Sequence, residues 1–471
     1  MRRRTFTAGA AAGAALLAGA GCDAPGGAGH GDGEHGDGDG GDGRGSGGRR
    51  GAPVTLTVLT HYASEPLASA LQTVVDAWNA THRRITVRTA AVKFPDLLTT
   101  YMVRQAAGQG ADIIHPYCLW TGQLVRAGVL RPVPPTATRQ IRRDFTPAAV
   151  AASSVHGTLY GYPTEVQTYA LYYNKRLLRQ AGIDGPPGTW QELEDAAYRT
   201  ARRDRHGNML VQGFGLSRAD DASVVGQTLA LLAARGGTFL TSDGRRTAIG
   251  SAAGRDVLDL ERRLIDRGAA DSGISLLRAF PSGQVAMAIN AGWWTASLRG
   301  AMGADYREVG VAPVPGPAPD DRGTLATGFL LGVNAKSRYP GEAWEFLHWL
   351  NGVRAPAARP GRSAGGGVPV SRMSALQVSV GSMTGRADDM RALLGGDGER
   401  DADGRGGGDR NLGPFLDALR YAVPEPNGPR AQQAKSLLRK NIEDVWTGRA
   451  SVDAALRTAG RQIDQELSRP Y

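Results

Sequence analysis

Gly157 to Leu193 reads GTLYGYPTEVQTYALYYNKRLLRQAGIDGPPGTWQEL, and this stretch decides the fold. Tyr160 and Tyr162 to Pro163 predict a short strand that stops where proline removes a backbone donor. Thr164 to Thr168 is a polar crossing. Ala170 to Tyr173 is a β-rich run feeding a helix that opens at Asn174-Lys175. Pro186, Pro187 and Gly188 make a stiff turn, and Thr189 with Glu192 forms a capping box that starts the next helix.

On both sides of this stretch strands and helices alternate. Val54 to Thr60 is a strand, and Leu67 to Ala80 is an amphipathic helix with Leu71, Val74, Val75 and Trp78 on one face. Ile85 to Thr89 is a strand, Pro95 to Ala107 a helix, Gly110 to Ile114 a strand entry, and Leu124 to Val129 a helix end closed by Gly128. This βαβα opening predicts a doubly wound α/β sheet. Short strands follow at Gly213–Leu216, Ala286–Ile289, Val309–Ala312 and Phe329–Val333. Pro340 starts a helix with Ala343, Phe346, Leu347 and Leu350 on one stripe. Ser451 is the expected N-cap of a terminal helix carrying Ala455, Leu456, Ala459, Ile463 and Leu467.

The first residues, Met1-Arg2-Arg3-Arg4-Thr5-Phe6, form a basic segment that resembles a twin-arginine export signal. The Ala/Gly/Leu run Ala8–Gly21 is too short to span a bilayer and ends at Cys22, which looks like a lipoprotein processing site, although Gly19 stands where Leu is usual. Residues 1–22 are thus expected to be an export signal with lipid attached at Cys22. Residues 23–53 are read as a flexible Gly-rich linker, whose scattered His30, Asp32, Glu34, His35, Asp37 and Asp39 lack the spacing of a metal site. A second Gly/Asp/Arg-rich run, 395–410, is read as a surface insertion. Cys118 is the only other cysteine, a small core residue among apolar neighbours, so the fold must hold without disulfides. The formal charge of +10 comes from arginines scattered singly or in pairs, with only 5 lysines in the chain. No basic stripe interleaved with aromatics is present, which argues against nucleic-acid binding.

The ordered set Gly-x-x-Tyr-Gly-x-Pro, Leu-Tyr-Tyr-Asn-Lys, Ala-Gly-Ile and Thr-Trp-x-Glu-Leu within 157–193 resembles the signature of extracellular solute-binding proteins that serve ATP-driven sugar importers. The resemblance continues through Pro95–Val133, FPSGQVAMAINAGWW at Phe280–Trp294, Thr327–Leu350 and Trp446–Leu467. It implies an α/β, two-lobe, type II periplasmic-binding-protein-like fold with several hinge crossings, each lobe a doubly wound sheet flanked by helices. The same order here would put 54–166 and 306–352 in one lobe, and 167–305 and 353–471 in the other. It further implies a monomer anchored by lipid on the outer face of the cytoplasmic membrane. Such a protein captures a mono- or oligosaccharide and passes it to an ABC-type permease, without cofactor, metal or catalysis.

Sugars are held by aromatic rings on their C–H faces and by planar polar side chains on adjacent hydroxyls. In open α/β sheets the ligand lies beyond the carboxyl ends of strands. His61 and Tyr62 follow the first strand, and His115, Tyr117 and Trp120 follow the strand at Asp112–Ile114. Glu165, Gln167 and Tyr169 lie on the polar crossing. Trp293 and Trp294 follow Ala286–Asn290, and the resemblance places a sugar-stacking Trp at Trp293. Phe329 opens a strand expected to line the cleft, and Arg372 matches a loop where a polar residue reaches the ligand. The rival readings are an exported carbohydrate-active hydrolase and a surface sugar sensor or adhesin. No Gly-x-Ser-x-Gly elbow, His-Glu-x-x-His pair or Cys/His zinc spacing occurs. A glycosidase pair such as Glu165 with Asp112 or Asp220 is left open, since only separation in space decides it. Replacing Cys22 with Ala is expected to move the protein from the membrane to the soluble fraction; undiminished membrane retention would exclude lipid at this residue.

Overall fold

The computed structural model describes residues 52–217, 221–271, 274–357, 368–394 and 409–470. The export signal, the linker apart from Ala52 and Pro53, and the insertion apart from Asp409 and Arg410 lie outside these residues. The chain opens with β1 (Val54–Thr60), α1 (Leu67–Thr81), β2 (Ile85–Ala91), α2 (Phe94–Ala106) and the short β3 (Ile113–Ile114). Burial alternates along the first residues of β1, and Leu71, Val75 and Trp78 are the buried stripe of α1. Trp78 Nε1 donates to Ile85 O at 2.8 Å, and Asn79 exchanges two hydrogen bonds with the backbone of Val87, which locks α1 onto β2.

The quoted stretch then forms a single long strand, β4 (Tyr162–Asn174), followed by α3 (Trp190–Thr200) with the expected capping box of Thr189 and Glu192. Pro163 does not end the strand. It sits opposite Leu330, whose N–H goes instead to Pro116 O, and a register shift lies beside it between Gly328 and Leu330. The ladder thus asks no donor of the proline at this point. Beyond α3 come β5 (Met209–Phe214), α4 (Asp221–Ala234), α5 (Ala252–Asp266), β6 (Val285–Ala291), β7 (Val309–Ala312), β8 (Leu325–Val333), α6 (Pro340–Asn351), α7 (Ala431–Trp446) and α8 (Val452–Ser468). Gly213 lets α3 close on β5, because a Cβ there would lie 1.7 Å from Ala197 O.

The strands join in one mixed sheet in the order β2-β1-β3-β8-β4-β6-β5, continued by Arg202–Arg203, with β7 also on β4 and Val423–Pro424 on β8. The first part of β4 pairs with β8, and its second part lies between β6 and β7. The architecture is a two-lobed α/β fold whose lobe sheets are continuous through β4 and β8. One half packs Leu56, Val58, Val75, Trp78, Ile113, Leu331, Phe346 and Leu350 into a core, and the other packs Leu171, Trp190, Phe214, Val257, Leu438, Ile442 and Trp446. β7 pairs with Leu171–Asn174, so the chain does not return to the first half at residue 306. The return falls inside β8: Leu325 packs in the second-half core, Leu331 and Val333 in the first. The helix Arg372–Ser379 sends Met373 and Leu376 into the first-half core, although the sequence placed it in the second lobe.

Glu261 on α5 is fully buried and accepts from Thr228 Oγ1 and Trp446 Nε1, both at 2.8 Å. Burial pushes its carboxyl up to about 7, and these hydrogen bonds only partly oppose that shift. The folded form therefore holds its proton more tightly than the unfolded chain, and stability from this group is lost as pH rises from about 4.5 towards 7. Glu261→Gln keeps an acceptor for Trp446 Nε1, can donate its amide N–H to the Thr228 hydroxyl, and is neutral at every pH. It is expected to stabilise the fold by roughly 2–3 kcal/mol above pH 7 and to be neutral near the usual carboxylate range, as read by urea unfolding at the two pH values.

Candidate functional site

β1, β2 and β3 run parallel, so their carboxyl ends open at one edge of the sheet. His61 and Tyr62 follow the end of β1, Phe94 follows β2 and His115 follows β3. The imidazole of His61 stacks on Phe329 of β8 at 3.8 Å and 19°, and its centroid lies 4.6 Å from Tyr62 and 4.8 Å from His115. Phe329 also meets Tyr117 at 5.4 Å and Phe94 at 5.8 Å, while Phe94 stacks on Trp120 at 5.2 Å and 18°. These rings form one aromatic band. Phe94 is its most exposed member, at 36 %. Phe94 was not among the residues expected from sequence, although the same strand-end rule that found His61 points to it.

Glu165 and Gln167 lie two residues apart on β4 and therefore face the same side of it. Glu165 meets the first-half ends: its Oε1 stands 3.2 Å from His61 Nε2. The two atoms are not aligned for a hydrogen bond, and Glu165 Oε1 and His61 Nδ1 are both buried without a hydrogen-bond partner. Gln167 meets the second-half ends. Its Nε2 donates to Ser382 Oγ at 2.8 Å, and its Oε1 is buried, unpartnered, and 3.1 Å from where a Cβ on Gly292 would stand. Gly292 and Trp293 follow β6, and Trp293 is 40 % exposed. Gly328 permits the close seating of β8 on β4, since a Cβ there would lie 2.0 Å from Glu165 O. The carboxyl ends of both halves thus converge on one face of the crossing strand.

Other expected site residues have different surroundings. Tyr62 is buried in the first-half core and its hydroxyl accepts from Gln377; burial, then the neighbouring Glu165 carboxylate, push its phenol well up. Tyr117 donates to Glu425 Oε2 at 2.5 Å and receives from Thr327 at 2.7 Å, while Glu425 Oε1 pairs with Lys435. Its phenol is raised by burial and by Glu425. Trp120 Nε1 donates to Gln432 of α7 at 2.9 Å. Tyr169 packs in the second-half core, its hydroxyl against Gly226 of α4, where a Cβ would come within 2.2 Å. Trp294 and Arg372 also stay outside the cluster. Trp294 is buried against Tyr172 and Phe280 at 4.9 and 5.1 Å. Arg372 lies over the Trp349 ring at 3.9 Å and donates to Trp349 O. Each is held by a neighbour that the strand-end rule does not take into account: Tyr172 of β4 and Phe280 for Trp294, and Trp349 of α6 for Arg372. Cys118 is buried, and burial raises its thiol, so it is an inert core residue.

His115 donates and accepts through Thr60 Oγ1 at 3.0 Å and Thr164 Oγ1 at 2.8 Å, and burial, then His61, hold its imidazole well below the usual histidine range. It is therefore neutral. With His61 and Glu165 it forms a group whose ligand atoms lie within 4.8 Å of one another. A cavity of about 540 Å³ lined by Leu229, Leu232, Phe239, Leu325, Pro424 and Pro429 contains none of these groups. Its lining also includes His156, Thr241, Asp243, Asn427 and Arg430, but none of the residues on which the strand ends of the two halves converge.

The sequence profile of the bacterial extracellular solute-binding proteins matches residues 62–355, and the chain belongs to that family. A binding protein of Brucella abortus strain 2308 is 26 % identical over 284 residues, 59 % of this chain and 67 % of its own. The maltotriose-binding protein of Pyrococcus abyssi is 29 % identical over 139 residues, 27 % of this chain and 30 % of that one. In structure, the cyclic alpha-maltosyl-1,6-maltose binding protein of Arthrobacter globiformis is similar with a TM-score of 0.70 at 23 % identity, over 88 % of this chain and 99 % of that one. The GacH receptor of Streptomyces glaucescens, solved with acarbose, gives 0.69 at 22 %, over 88 % and 99 %. These similarities establish the two-lobed fold. Among the described residues no helix is long and apolar enough to cross a membrane. Trp294→Ala is expected to cost about 3–5 kcal/mol in urea unfolding, and the exposed Trp293→Ala less than about 0.5 kcal/mol.

Proposed function

We propose that this chain binds a neutral carbohydrate where the strand ends of the two halves meet, and presents it to an ABC-type permease without altering it. One observation carries the reading: the exposed rings of Phe94 and Trp293 stand at strand ends whose shared floor, Glu165 and Gln167, offers unpartnered hydrogen-bond acceptors. Rings and acceptors are the two kinds of group a pyranose needs. The sugars bound by the similar proteins of Pyrococcus and Arthrobacter favour the same class of solute. The hydrolase reading is weaker, because Asp112 accepts from Thr57 N–H and Ser337, and Glu425 has its oxygens taken by Lys435, Tyr117 and Thr327, while Asp220 lies outside the described residues. Binding closes the two lobes about β4 and β8, and the closed form is what a permease distinguishes from the empty one. The chain acts as a monomer, exported through its Arg3-Arg4 signal and held at the outer face of the membrane by lipid on Cys22.

A thermal-shift screen against mono- and oligosaccharides identifies the solute, since a ligand at 100 times its Kd stabilises by about 2.7 kcal/mol. With that sugar, Trp293→Ala is expected to lose about 2 kcal/mol of binding, roughly thirtyfold in Kd by calorimetry. Mass spectrometry after prolonged incubation is expected to recover the sugar unchanged. Turnover in excess of the protein would move the chain to the hydrolases, and unchanged affinity in Trp293→Ala would remove that ring from the site.

A further inference from the structure

We infer that His61, His115 and Glu165 form a binding site for one divalent transition-metal ion of the zinc class at the base of the cleft. The sequence predicted no metal, and the short tether histidines were read as spacer. The three residues come from the ends of β1 and β3 and from the middle of β4, and only the sheet brings them together. Two imidazoles and a carboxylate are the donor set that zinc, copper, nickel and iron take in sites that keep a position open.

Three features of the cluster point to a cation and not to a packed polar core. Glu165 is 7 % exposed and its Oε1, 3.2 Å from His61 Nε2, completes no hydrogen bond there, and His61 Nδ1 is buried and unpartnered. A buried anion in that state is costly, and a cation shared with the imidazoles offsets the cost. The groups already approach the spacing of a site. Donors around a tetrahedral ion with bonds of about 2.1 Å stand about 3.4 Å apart; here His61 Nε2 and Glu165 Oε1 are at 3.2 Å and all three ligand atoms lie within 4.8 Å. Side-chain rotations of about 1 Å close the rest, and His61 and Glu165 each have an atom whose movement breaks no hydrogen bond. His115, finally, has a threonine hydroxyl on each ring nitrogen. Exchanging one hydroxyl for the ion leaves the other to orient the ring, the arrangement found around metal-ligating histidines. Three protein donors leave a fourth position for water or for an oxygen of the bound solute. The inference does not depend on the solute being a sugar.

The test uses metal alone, on the full chain carrying His30→Ala and His35→Ala so that the tether does not compete. Calorimetric titration with Zn²⁺ is expected to show one site, and Co²⁺ to give the ligand-field absorption of a low-coordinate protein site. His61→Gln and Glu165→Gln are each expected to weaken Zn²⁺ binding by at least about tenfold, whereas His206→Ala, in an exposed turn, leaves it unchanged. No saturable site, or the same affinity in His61→Gln and Glu165→Gln as in His206→Ala, overturns the proposal. If either variant fails to fold, pulsed EPR of the Cu²⁺-loaded parent decides: two coordinated imidazoles support the site, and fewer than two overturn it.

Discussion

The fold depends on burying β4, a strand that carries Thr164, Glu165, Gln167 and Thr168 through the middle of the molecule. Its residues from Tyr162 to Tyr172 are all buried. The backbone is satisfied along its length by β8, β7 and β6, and Val166 N–H goes to Met383 O. Each polar side chain then needs its own partner in a low-dielectric setting. Thr164 finds Phe329 O and His115, Gln167 finds Ser382, and Thr168 finds Phe415 O at 2.9 Å. Glu165 and the Gln167 amide oxygen do not complete their hydrogen bonding. An apolar strand would have packed as well and left no site, so the unfinished bonding of this segment is where structure and function meet.

A second buried polar network ties distant parts of the chain to that strand. Lys435 and Glu425, whose side chains are each about 1 % exposed, pair in the interior, and Glu425 also accepts from Tyr117 and Thr327. Such a pair adds little net stability over an apolar replacement, but removing one partner leaves a buried charge. Its effect is positional: it fixes the Pro424–Pro429 segment and α7 against the loop after β3. The aromatic band is thereby held from behind, since Tyr117 and Trp120 face Phe94 and Phe329 on one side while their polar atoms are bound to Glu425 and Gln432.

The arginine-rich composition has no part in this site. The groups that converge at the strand ends are two imidazoles, one carboxylate, amides and rings, whereas the arginines make mostly exposed pairs such as Arg84 with Glu342 and Arg263 with Glu194. Exposed pairs contribute little to stability. A formal charge of +10 therefore describes the surface and its solubility, and the chemistry of the cleft has to be read from the few residues that the sheet gathers.

The sequence by itself determined what is set by neighbours in the chain. The capping box at Thr189, the cap at Ser451, the apolar stripes of α1 and α6 and most strand positions depend on local hydrogen bonding and on hydrophobic period, and these survive folding unchanged. The order of motifs also identified the family. Tertiary structure alone decided that Pro163 lies inside a strand, because it falls at a non-hydrogen-bonded pair whose partner, Leu330, turns its polar groups to the other side and asks no donor of it. It decided too that Trp294, Tyr169 and Arg372 are held by packing while Phe94 is left open. Tyr117 and Glu425 are 308 residues apart in sequence, and His115 and Thr164 are 49 apart. No local pattern encodes such pairs. They exist because parallel strands gather their carboxyl ends at one edge, and because a buried polar strand accepts whichever partners the rest of the chain can bring to it.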